Sequence, residues 1–435
     1  MTDTNFTISF DDITYNSVNV VLDLGGSGLP IYERGVVYDL ESNPTVDDTI
    51  KISGSGYGEF TIPLTGLDYN TIYHARGFYR YYDSNETQPN GDVDIFWDSV
   101  AISSNGQIMI AGGSNNRLYI TTNGSQSWTE VQPAGDVNGY WNHCGISHDG
   151  TIMVVASTGG RVYRSTNTGS SWSETQPIGN NNGSWSSLSM SANGQIIVAS
   201  IYGGRIYRTT NGGSSWAEIQ PSGNSNRDWV SSAMSDDGST IICIVDFGRA
   251  YLTINSGSSW AETFANGNNN SAWIYCTMSG DGNTIVACTS FGAVITKNKG
   301  TNWAEFLPYS VAYKRFTATS ISTDGNIIVS GNGAFVSGDP IQTFGRLHFS
   351  IDGGNTWFEI QPEGDNEVFW NKASITPNGD YIIVSSNKRL YYIENKTIYG
   401  VEDDFITPHH PNTVTLQTTK NANGSLLQPA IRVMF

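Results

Sequence analysis

"TTNGSQSW", residues 121–128, places hydroxyl, amide and glycine residues directly before a tryptophan. The same kind of octet recurs five more times along the chain. The six copies end in Trp128, Trp172, Trp216, Trp260, Trp303 and Trp357. A motif that recurs at a nearly constant interval indicates a scaffold assembled from copies of one structural unit.

A second tryptophan series interleaves with the first, with successive members 44 residues apart from Trp97 to Trp141 and onward. Its members are Trp97, Trp141, Trp185, Trp229 and Trp273, followed by Phe316 and Trp370 in the same place. The two series contain all twelve tryptophans of the chain. Their spacing is typical of a unit of four short strands.

Asn-Gly and Asp-Gly pairs between two apolar runs fix the number of units. The glycines are Gly106, Gly150, Gly194, Gly238, Gly282, Gly325 and Gly379. Each pair predicts a tight hairpin, because such turns need positive φ. Seven hairpins predict seven four-stranded antiparallel sheets, which is a seven-bladed β-propeller. We letter the strands of one unit A to D, with the hairpin between A and B.

The octet lies between strands C and D and is interpreted as a lock for that hairpin. Its polar side chains can bond nearby backbone N–H groups, and its tryptophan is expected to bury between sheets. The predicted structural residues are Asn123, Trp128, Asn167, Trp172, Asn211, Trp216, Asn255, Trp260, Asn298, Trp303, Asp352 and Trp357. The octets are therefore expected to be structural and not a binding site.

The octet pattern resembles the Asp-box repeat of sialidases, sortilin-type receptors and a photosystem assembly factor family. The resemblance covers about residues 84–400 and implies a propeller whose boxes lie opposite the usual ligand site. A sialidase would need a cluster of three arginines. The arginines that recur here at the 44-residue interval open strand C and are expected to be structural: Arg117, Arg161, Arg205 and Arg249.

Residues 84–400 must also close the ring. The stretch before the first unit is similar to a strand D and its following loop, so residues 84–89 are predicted to complete blade seven. The competing interpretation is that "TIYGVE", residues 397–402, supplies this strand.

Residues 1–83 lack the repeat, and their alternating apolar runs predict a small β-sandwich. The stretch "LTGLDYNTIYHARGF", with Leu67, Thr71 and Tyr73, resembles the tyrosine corner of fibronectin type III domains. No final strand is evident, and "NTVTLQTT", residues 412–419, could fill that place. Residues 401–435 are expected to form a separate tail or a docking arm.

Composition excludes several functions. The formal net charge of −18 disfavours nucleic acids and anionic membrane surfaces. No signal peptide or membrane-spanning run is expected. The four cysteines and six histidines lack metal-binding spacings, so no metal and no cofactor are predicted. Loop carboxylates could still form a glycosidase pair, namely Asp136, Asp246, Asp339, Glu363 and Glu367.

The repeat is broken in one sector, where Trp303 and Trp357 lie 54 residues apart. The extra residues fall in "GNGAFVSGDPIQTFGR", and the neighbouring loop "PYSVAYKRF" is aromatic and basic. This sector predicts a site for a sugar or a partner loop, and the alternative is a surface loop that has drifted. The candidate residues are Tyr309, Tyr313, Lys314, Arg315, Asp339, Glu367 and Trp370. The strand A tryptophans could likewise line a funnel or pack between blades.

The fold class predicted is all-β, with a fibronectin type III-like sandwich before an Asp-box propeller. Such domains are usually displayed outside cells, yet neither a secretion signal nor a disulfide framework is evident. A bacteriophage virion protein, made in the host cytoplasm, fits this combination. We therefore expect a non-enzymatic tail, fibre or capsid-decoration component. Its expected partners are other virion proteins in an oligomeric assembly, or host-surface glycans. The alternatives are a sialidase-like glycoside hydrolase and a cellular assembly factor.

Overall fold

The computed structural model describes residues 6–25, 30–263, 265–306, 316–332, 345–364, 366–386 and 388–407. Within these residues every regular element is a β-strand, so the chain is all-β as predicted. In this described part no helix has the length and apolar character needed to cross a membrane. The chain forms two compact units, Met1–Asp83 with Asn395–Phe435, and Ser84–Glu394.

The first unit is a sandwich of two antiparallel sheets. One sheet has the strand order β1-β2-β5, and the strands of the other run in the order β4, β3, β6 and β35. The strands are β1 (Phe6–Asp11), β2 (Ser17–Leu24), β3 (Ile31–Asp39), β4 (Thr49–Gly54), β5 (Gly58–Thr65), β6 (Ile72–Thr87) and β35 (Asp403–Ile406). Alternate residues of both sheets, such as Leu22, Val36 and Phe405, form one buried core.

The last strand of this sandwich comes from the region predicted to be a separate tail. Strand β35 pairs antiparallel with β6, with Phe405 opposite Tyr73. Its rings explain the placement, because Phe405 stacks on Tyr73 with centroids 5.4 Å apart and contacts Phe10 of the other sheet. The segment 412–419, considered for this place, lies outside the described residues. The chain between β6 and β35 is thus an insertion in the sandwich.

The second unit contains six separate four-stranded antiparallel sheets, each running from strand A to strand D in chain order. Their strands are, sheet by sheet, β7 (Trp97–Ile102), β8 (Met109–Gly113), β9 (Leu118–Thr121), β10 (Thr129–Val131); β11 (Trp141–Ile146), β12 (Met153–Ser157), β13 (Val162–Ser165), β14 (Ser173–Thr175); β15 (Trp185–Met190), β16 (Ile197–Ile201), β17 (Ile206–Thr209), β18 (Ala217–Ile219); β19 (Trp229–Met234), β20 (Ile241–Val245), β21 (Ala250–Thr253), β22 (Ala261–Thr263); β24 (Trp273–Met278), β25 (Ile285–Thr289), β26 (Gly292–Thr296), β27 (Ala304–Phe306); and β28 (Phe316–Ile321), β29 (Ile328–Asn332), β30 (Leu347–Ser350), β31 (Phe358–Ile360). A short extra strand, β23 (Ala265–Asn268), follows the fourth sheet.

A seventh set of strands joins the two ends of this unit. Strands β32 (Lys372–Ile375), β33 (Tyr381–Ser385) and β34 (Leu390–Tyr399) pair in order, and β34 pairs with β6. Strands β6 and β34 each have residues in both units, and residues 84–87 of β6 belong to the second. There Arg389 contacts Glu86 at 3.2 Å. The competing segment 397–402 begins inside β34 itself, so its first residues extend that strand.

The first strands of successive sheets contact one another in sequence from β7 to β32, and β32 contacts β7. The sheets therefore close into a ring, which is the architecture of a β-propeller. Each sheet packs on the next through apolar side chains. Trp141, for example, lies in one core with Leu118 and Ile120 of the preceding sheet.

The A-to-B hairpins and the octets lie at one edge of the sheets, which we call the box face. In the second octet, Gly169 N–H donates to the Ser165 hydroxyl at 2.9 Å, and Ser171 N–H donates to Asn167 Oδ1 at 2.9 Å. The octet tryptophans pack against the cores between neighbouring sheets, as Trp172 and Trp216 do, and are half-buried there. The reason is that each lies at the outer strands, and the Trp216 indole N–H reaches the Thr175 hydroxyl of the preceding sheet.

Candidate functional site

The opposite edge of the propeller carries the turns between strands B and C and the loops between sheets. We call it the loop face, and its described residues are 88–96, 114–117, 132–140, 158–161, 176–184, 202–205, 220–228, 246–249, 265–272, 290–291, 345–346, 361–364, 366–369, 386 and 388–389. Isolated bridges such as Asn116 to Gly139 and Gly204 to Arg227 join turns to loops within it. Turns and loops therefore form one surface.

This loop face carries every exposed aromatic side chain that the structure describes between residues 84 and 394. They come from five consecutive sheets and are 48% to 85% exposed: Phe96, Tyr140, Tyr202, Phe247 and Phe291. On the box face the exposed large apolar residue is Ile254. Scattered exposed apolar residues are ordinary, but aromatics confined to one face indicate a binding surface.

Phe247 is held in an unfavourable backbone conformation. Its φ is +46°, and the matching turns of the second and third sheets have Gly159 at +73° and Gly203 at +69°. Glycine takes this left-handed conformation freely, whereas a side chain with a Cβ costs about 1–2 kcal/mol there. The ring is also largely exposed, so its burial does not offset that cost. Such a residue is a candidate for function.

Beside Phe247 lies a hollow of about 510 Å³, lined by Arg227, Asp228, Asp246, Arg249 and other residues of the same turns and loops. Burial raises the pKa of Asp246, and the nearby Asp228 carboxylate raises it further. A hydrogen bond from Phe247 N–H opposes this shift. The hollow thus offers two coupled carboxylates next to an exposed ring.

The repeated arginines are engaged within their own sheets. Arg117, Arg161, Arg205 and Arg249 each contact a strand D glutamate, at 3.6, 3.3, 3.5 and 3.5 Å. They are spread around the ring and neutralised, so they do not form a three-arginine clamp for a substrate carboxylate. This arrangement agrees with a structural role.

The predicted site residues separate into three groups. Tyr309, Tyr313, Lys314, Arg315 and Asp339 lie outside the described residues. Glu367 is exposed on the loop face. Trp370 was predicted to contact a ligand, but the structure buries it. Its side chain is 1% exposed, and its indole N–H donates to the Gly345 carbonyl at 3.1 Å.

Trp370 shares this burial with the other strand A tryptophans. Trp97, Trp141, Trp185, Trp229 and Trp273 are each 2% exposed. The sequence left two interpretations of these indoles open, a funnel lining and packing between blades. Their burial shows that they pack between sheets. Their rings are large apolar surfaces, and the interfaces between successive sheets remove them from water.

A second candidate site lies on the propeller axis, where a channel of about 190 Å³ is lined by the first strands. Three side chains from non-adjacent sheets converge in it: His143 of β11, Tyr275 of β24 and Lys372 of β32. The Lys372 ammonium lies over the Tyr275 ring, 4.9 Å from its centroid. The Tyr275 hydroxyl donates to the Thr319 carbonyl at 3.0 Å.

The channel perturbs the ionisation of these groups. Burial, and to a smaller extent the Lys372 charge, lowers the pKa of His143 to about 3, whereas a hydrogen bond with the Trp185 backbone opposes this shift. Burial also lowers the pKa of Lys372, against the attraction of Asp98. His143 is therefore neutral at neutral pH. Perturbed groups that meet in a cavity are typical of functional sites.

The box-face end of the axis is closed. The His148 ring approaches the Asp236 carboxylate at 3.4 Å, and the Thr323 hydroxyl donates to its other oxygen at 2.8 Å. These residues come from the second, fourth and sixth sheets. Around them the hairpin backbones bond from sheet to sheet, as in His148 N–H to the Ala192 carbonyl. A ligand would therefore enter the axis from the loop face.

Sequence reasoning missed the axial site, although a signal for it was present. His143, Tyr275 and Lys372 each lie two residues after the strand A aromatic, where other sheets have Ser99, Ser187, Ser231 and Ala318. A bulky ionisable residue among small ones at one repeat position marks a departure from the scaffold. The exposed turn aromatics Tyr202, Phe247 and Phe291 could have been found in the same way.

Other reactive groups are accounted for by packing or by ion pairs. Burial raises the pKa of Cys144 and of Cys276 to about 12, so these are unreactive thiols. Within the described residues, the one group with metal-ligand geometry is His74, Glu402 and Asp404 of the sandwich. There His74 Nδ1 lies 2.7 Å from Asp404 across the β6 and β35 pair, which is an ordinary cross-strand contact.

Comparison with known proteins supports the β-propeller fold and does not assign a family or an activity. No protein-family model matches the chain, and no curated protein matches it in sequence. Solved structures do match: YCF48 bound to D1 peptide has 17% identity and a TM-score of 0.53, over 72% of this chain and 96% of the other. YCF48 from Cyanidioschyzon merolae has 14% identity and a TM-score of 0.52, over 72% and 98%.

A GH74 xyloglucanase from Xanthomonas campestris has 14% identity and a TM-score of 0.55, over 72% of this chain. The matched region spans 53% of that enzyme. A binding protein and a hydrolase therefore share this fold with the chain. At these identities the likeness shows only the class of fold, a multi-bladed β-propeller. The activity must be inferred from the site.

Proposed function

We propose that this protein is a non-enzymatic binding propeller that holds a polypeptide partner on its loop face. The observation that carries the proposal is the set of five exposed aromatic side chains on that face. Aromatic residues are enriched at protein interfaces because they bury large areas with few rotatable bonds. The strained Phe247 is the central anchor of this surface.

The partner is expected to be basic. The chain has a formal net charge of −18, and its loop face exposes carboxylates such as Glu367. Complementary charge speeds association and orients the partner. The solved structure of YCF48 with a D1 peptide gives a precedent for peptide binding by a propeller of this kind.

The setting of this interaction is a separate matter. The sequence suggests a bacteriophage particle, which would make the partner another virion protein or a host-surface glycan. The alternative of a cellular assembly factor is supported by the likeness to YCF48. Another virion protein or a cellular partner would each need a polypeptide-binding face, whereas a host glycan would not.

We also infer finer family relationships for the two units. The sandwich is proposed to be of fibronectin type III kind, because Asp68 N–H donates to the Tyr73 hydroxyl at 3.0 Å, as in a tyrosine corner. The octets are proposed to be Asp boxes. Support comes from the repeated bond between the first hydroxyl and the third side chain, as from Ser350 to Asp352 at 2.8 Å.

The test uses the full chain on a peptide array and on a glycan array. The array peptides should carry basic and apolar residues in varied order, with acidic versions as controls. We expect micromolar binding to basic peptides, weakened about tenfold or more by Phe247→Ala combined with Phe291→Ala. The matched control is Ile254→Ala on the box face, which should leave binding unchanged.

Two results would contradict the proposal. Equal loss of binding in the Ile254 variant would place the partner elsewhere. Binding to glycans in place of peptides, lost in the same aromatic variants, would assign the face to sugars.

A specific observation favours one rival, a glycoside hydrolase. The hollow at Asp228 and Asp246 contains two coupled carboxylates, one with a raised pKa, as a catalytic acid needs. Release of reducing sugar from xyloglucan or from sialylated glycans by the full chain, abolished in Asp246→Asn, would establish hydrolysis. We expect no release, and Asp246→Asn should retain peptide binding.

A further inference from the structure

We propose that the axial channel binds a small anion of the carboxylate class, held by the ammonium group of Lys372. Nothing in the loop-face proposal requires this site, so either can fail without the other. Lys372 has no hydrogen-bond acceptor among the described residues, the channel lining is polar, and the channel opens at one end.

The Lys372 ammonium has three N–H donors and forms no hydrogen bond or ion pair with a described residue. Its closest described partner is the face of Tyr275, which offers no hydrogen-bond acceptor lone pair at that position. Asp98 attracts it, but that carboxylate accepts hydrogen bonds from Asn371 at 3.0 Å and from Ser114. The three donors therefore have no hydrogen-bond acceptor among the described residues and are open to a ligand in the channel.

The channel lining includes one carboxylate, Asp98, whose oxygens already accept hydrogen bonds from Asn371 and Ser114. The lining carries hydroxyl and amide groups, including Ser187, Ser232, Thr277 and Asn142. The Asn142 side-chain oxygen is buried without a partner among the described residues, and exchanging the oxygen and nitrogen positions of this amide would place N–H donors there. His143 is neutral there and does not compete for the anion as a second cation.

The size and position of the channel limit the ligands that can bind to small molecules or groups. A space of about 190 Å³ holds a group of acetate size with a few waters. The closed box-face end leaves the loop face as the entrance. Lys372 is the first residue of β32 and so lies near that entrance. A carboxylate could arrive there free in solution or on an acidic or C-terminal residue of a bound polypeptide.

The first experiment locates the anion directly. Crystals of the full chain soaked in sodium bromide should show an anomalous peak within about 3–4 Å of the Lys372 Nζ atom, because bromide replaces small anions. Bromide peaks elsewhere on the molecule with none in the channel would overturn the proposal. This test needs no substitution, so it does not depend on whether a variant folds.

The second experiment measures binding in solution. At constant ionic strength, 100 mM sodium acetate should raise the Tm of the full chain by about 2 °C, and Lys372→Met should abolish that rise. The matched control is Lys297→Met on the box face, where the ammonium contacts Asn355 and the rise should persist. An equal acetate effect in both variants would assign the stabilisation to general salt action and contradict the site.

A competition arm distinguishes the two sources of carboxylate. If acetate weakens the binding of a peptide with a free C-terminal carboxylate, but not of its amidated version, the partner supplies the group. If acetate binds and both peptides are unaffected, the ligand is a free anion. Both outcomes retain the site, and absence of acetate binding with no bromide peak rejects it.

Discussion

The two faces of the propeller are built from the same repeat and differ in how faithfully they keep it. On the box face, one hydroxyl-to-amide contact recurs nearly unchanged, from Thr121 to Asn123 at 2.9 Å and from Thr253 to Asn255 at 2.8 Å. On the loop face, the same turn position holds glycine in two sheets and phenylalanine in two others. Regularity marks the parts that hold the sheets together, and deviation marks the parts free to bind.

The same contrast holds along the axis. At the box face the axis is filled by His148, Asp236 and Thr323, whose polar atoms bond one another. Near the loop face, Lys372 has an ammonium group without a hydrogen-bond acceptor among the described residues. Satisfied polar groups rigidify a structure, whereas a charged group without a protein partner is free to bind a ligand. Both differences assign binding to the loop face.

The largest expected effect is on the box face. Trp216→Ala should lower the free energy of unfolding by about 2–4 kcal/mol, because it removes an indole packed between two sheets and its bond to Thr175. Chemical denaturation followed by circular dichroism measures this loss. Phe247→Ala on the loop face is the control and should change stability by less than about 0.5 kcal/mol. Equal losses of unfolding free energy in the two variants would contradict the assignment of a structural role to the box face and a binding role to the loop face.

A second effect is expected from pH through His143. Its pKa is about 3 when folded and 6.5 ordinarily, so the unfolded chain takes up the proton first in acid. The free energy of unfolding should therefore fall as pH drops from about 6.5 toward 3. His143→Gln should flatten that slope in denaturation curves collected at half-unit pH intervals. An unchanged slope would show that His143 titrates normally, and so that the axis is well hydrated.

The smallest expected effect concerns the strain at Phe247. Phe247→Gly restores the residue found at this turn in two other sheets and relieves its positive φ. We expect a gain in unfolding free energy of about 0.5–1 kcal/mol together with loss of peptide binding. Phe291→Gly is the comparison, because the structure does not place Phe291 at positive φ, and it should not stabilise the protein. A loss of stability in Phe247→Gly would mean that the ring is held by packing.

The propeller was predictable because its signal repeats. Two tryptophan series and seven glycine turns give independent counts of the same unit, and each sheet needs those residues for a physical reason. The origin of the last sandwich strand was not predictable, since Asp403–Ile406 is a short acidic stretch far from its partner in sequence. Only the pairing of Phe405 with Tyr73 reveals its place.

The sequence predicted that a site would lie where the repeat is broken, but it did not predict which residues of the described chain form the candidate sites. Sequence reasoning looked for function where the repeat is longest, between Trp303 and Trp357, and those loop residues lie outside the described part of the chain. The described candidates are single substitutions inside regular repeats, such as Lys372 for serine. These residues form a site only because three non-adjacent sheets bring them together at the propeller axis. Their spacing along the chain does not reveal this proximity.

The insertion of the propeller between β6 and β35 has a consequence for synthesis on the ribosome. The sandwich lacks its final strand until roughly 316 further residues have been translated, which takes about 15–60 s. During that interval the hydrogen-bonding edge of β6 is uncovered and open to wrong pairing with other chains.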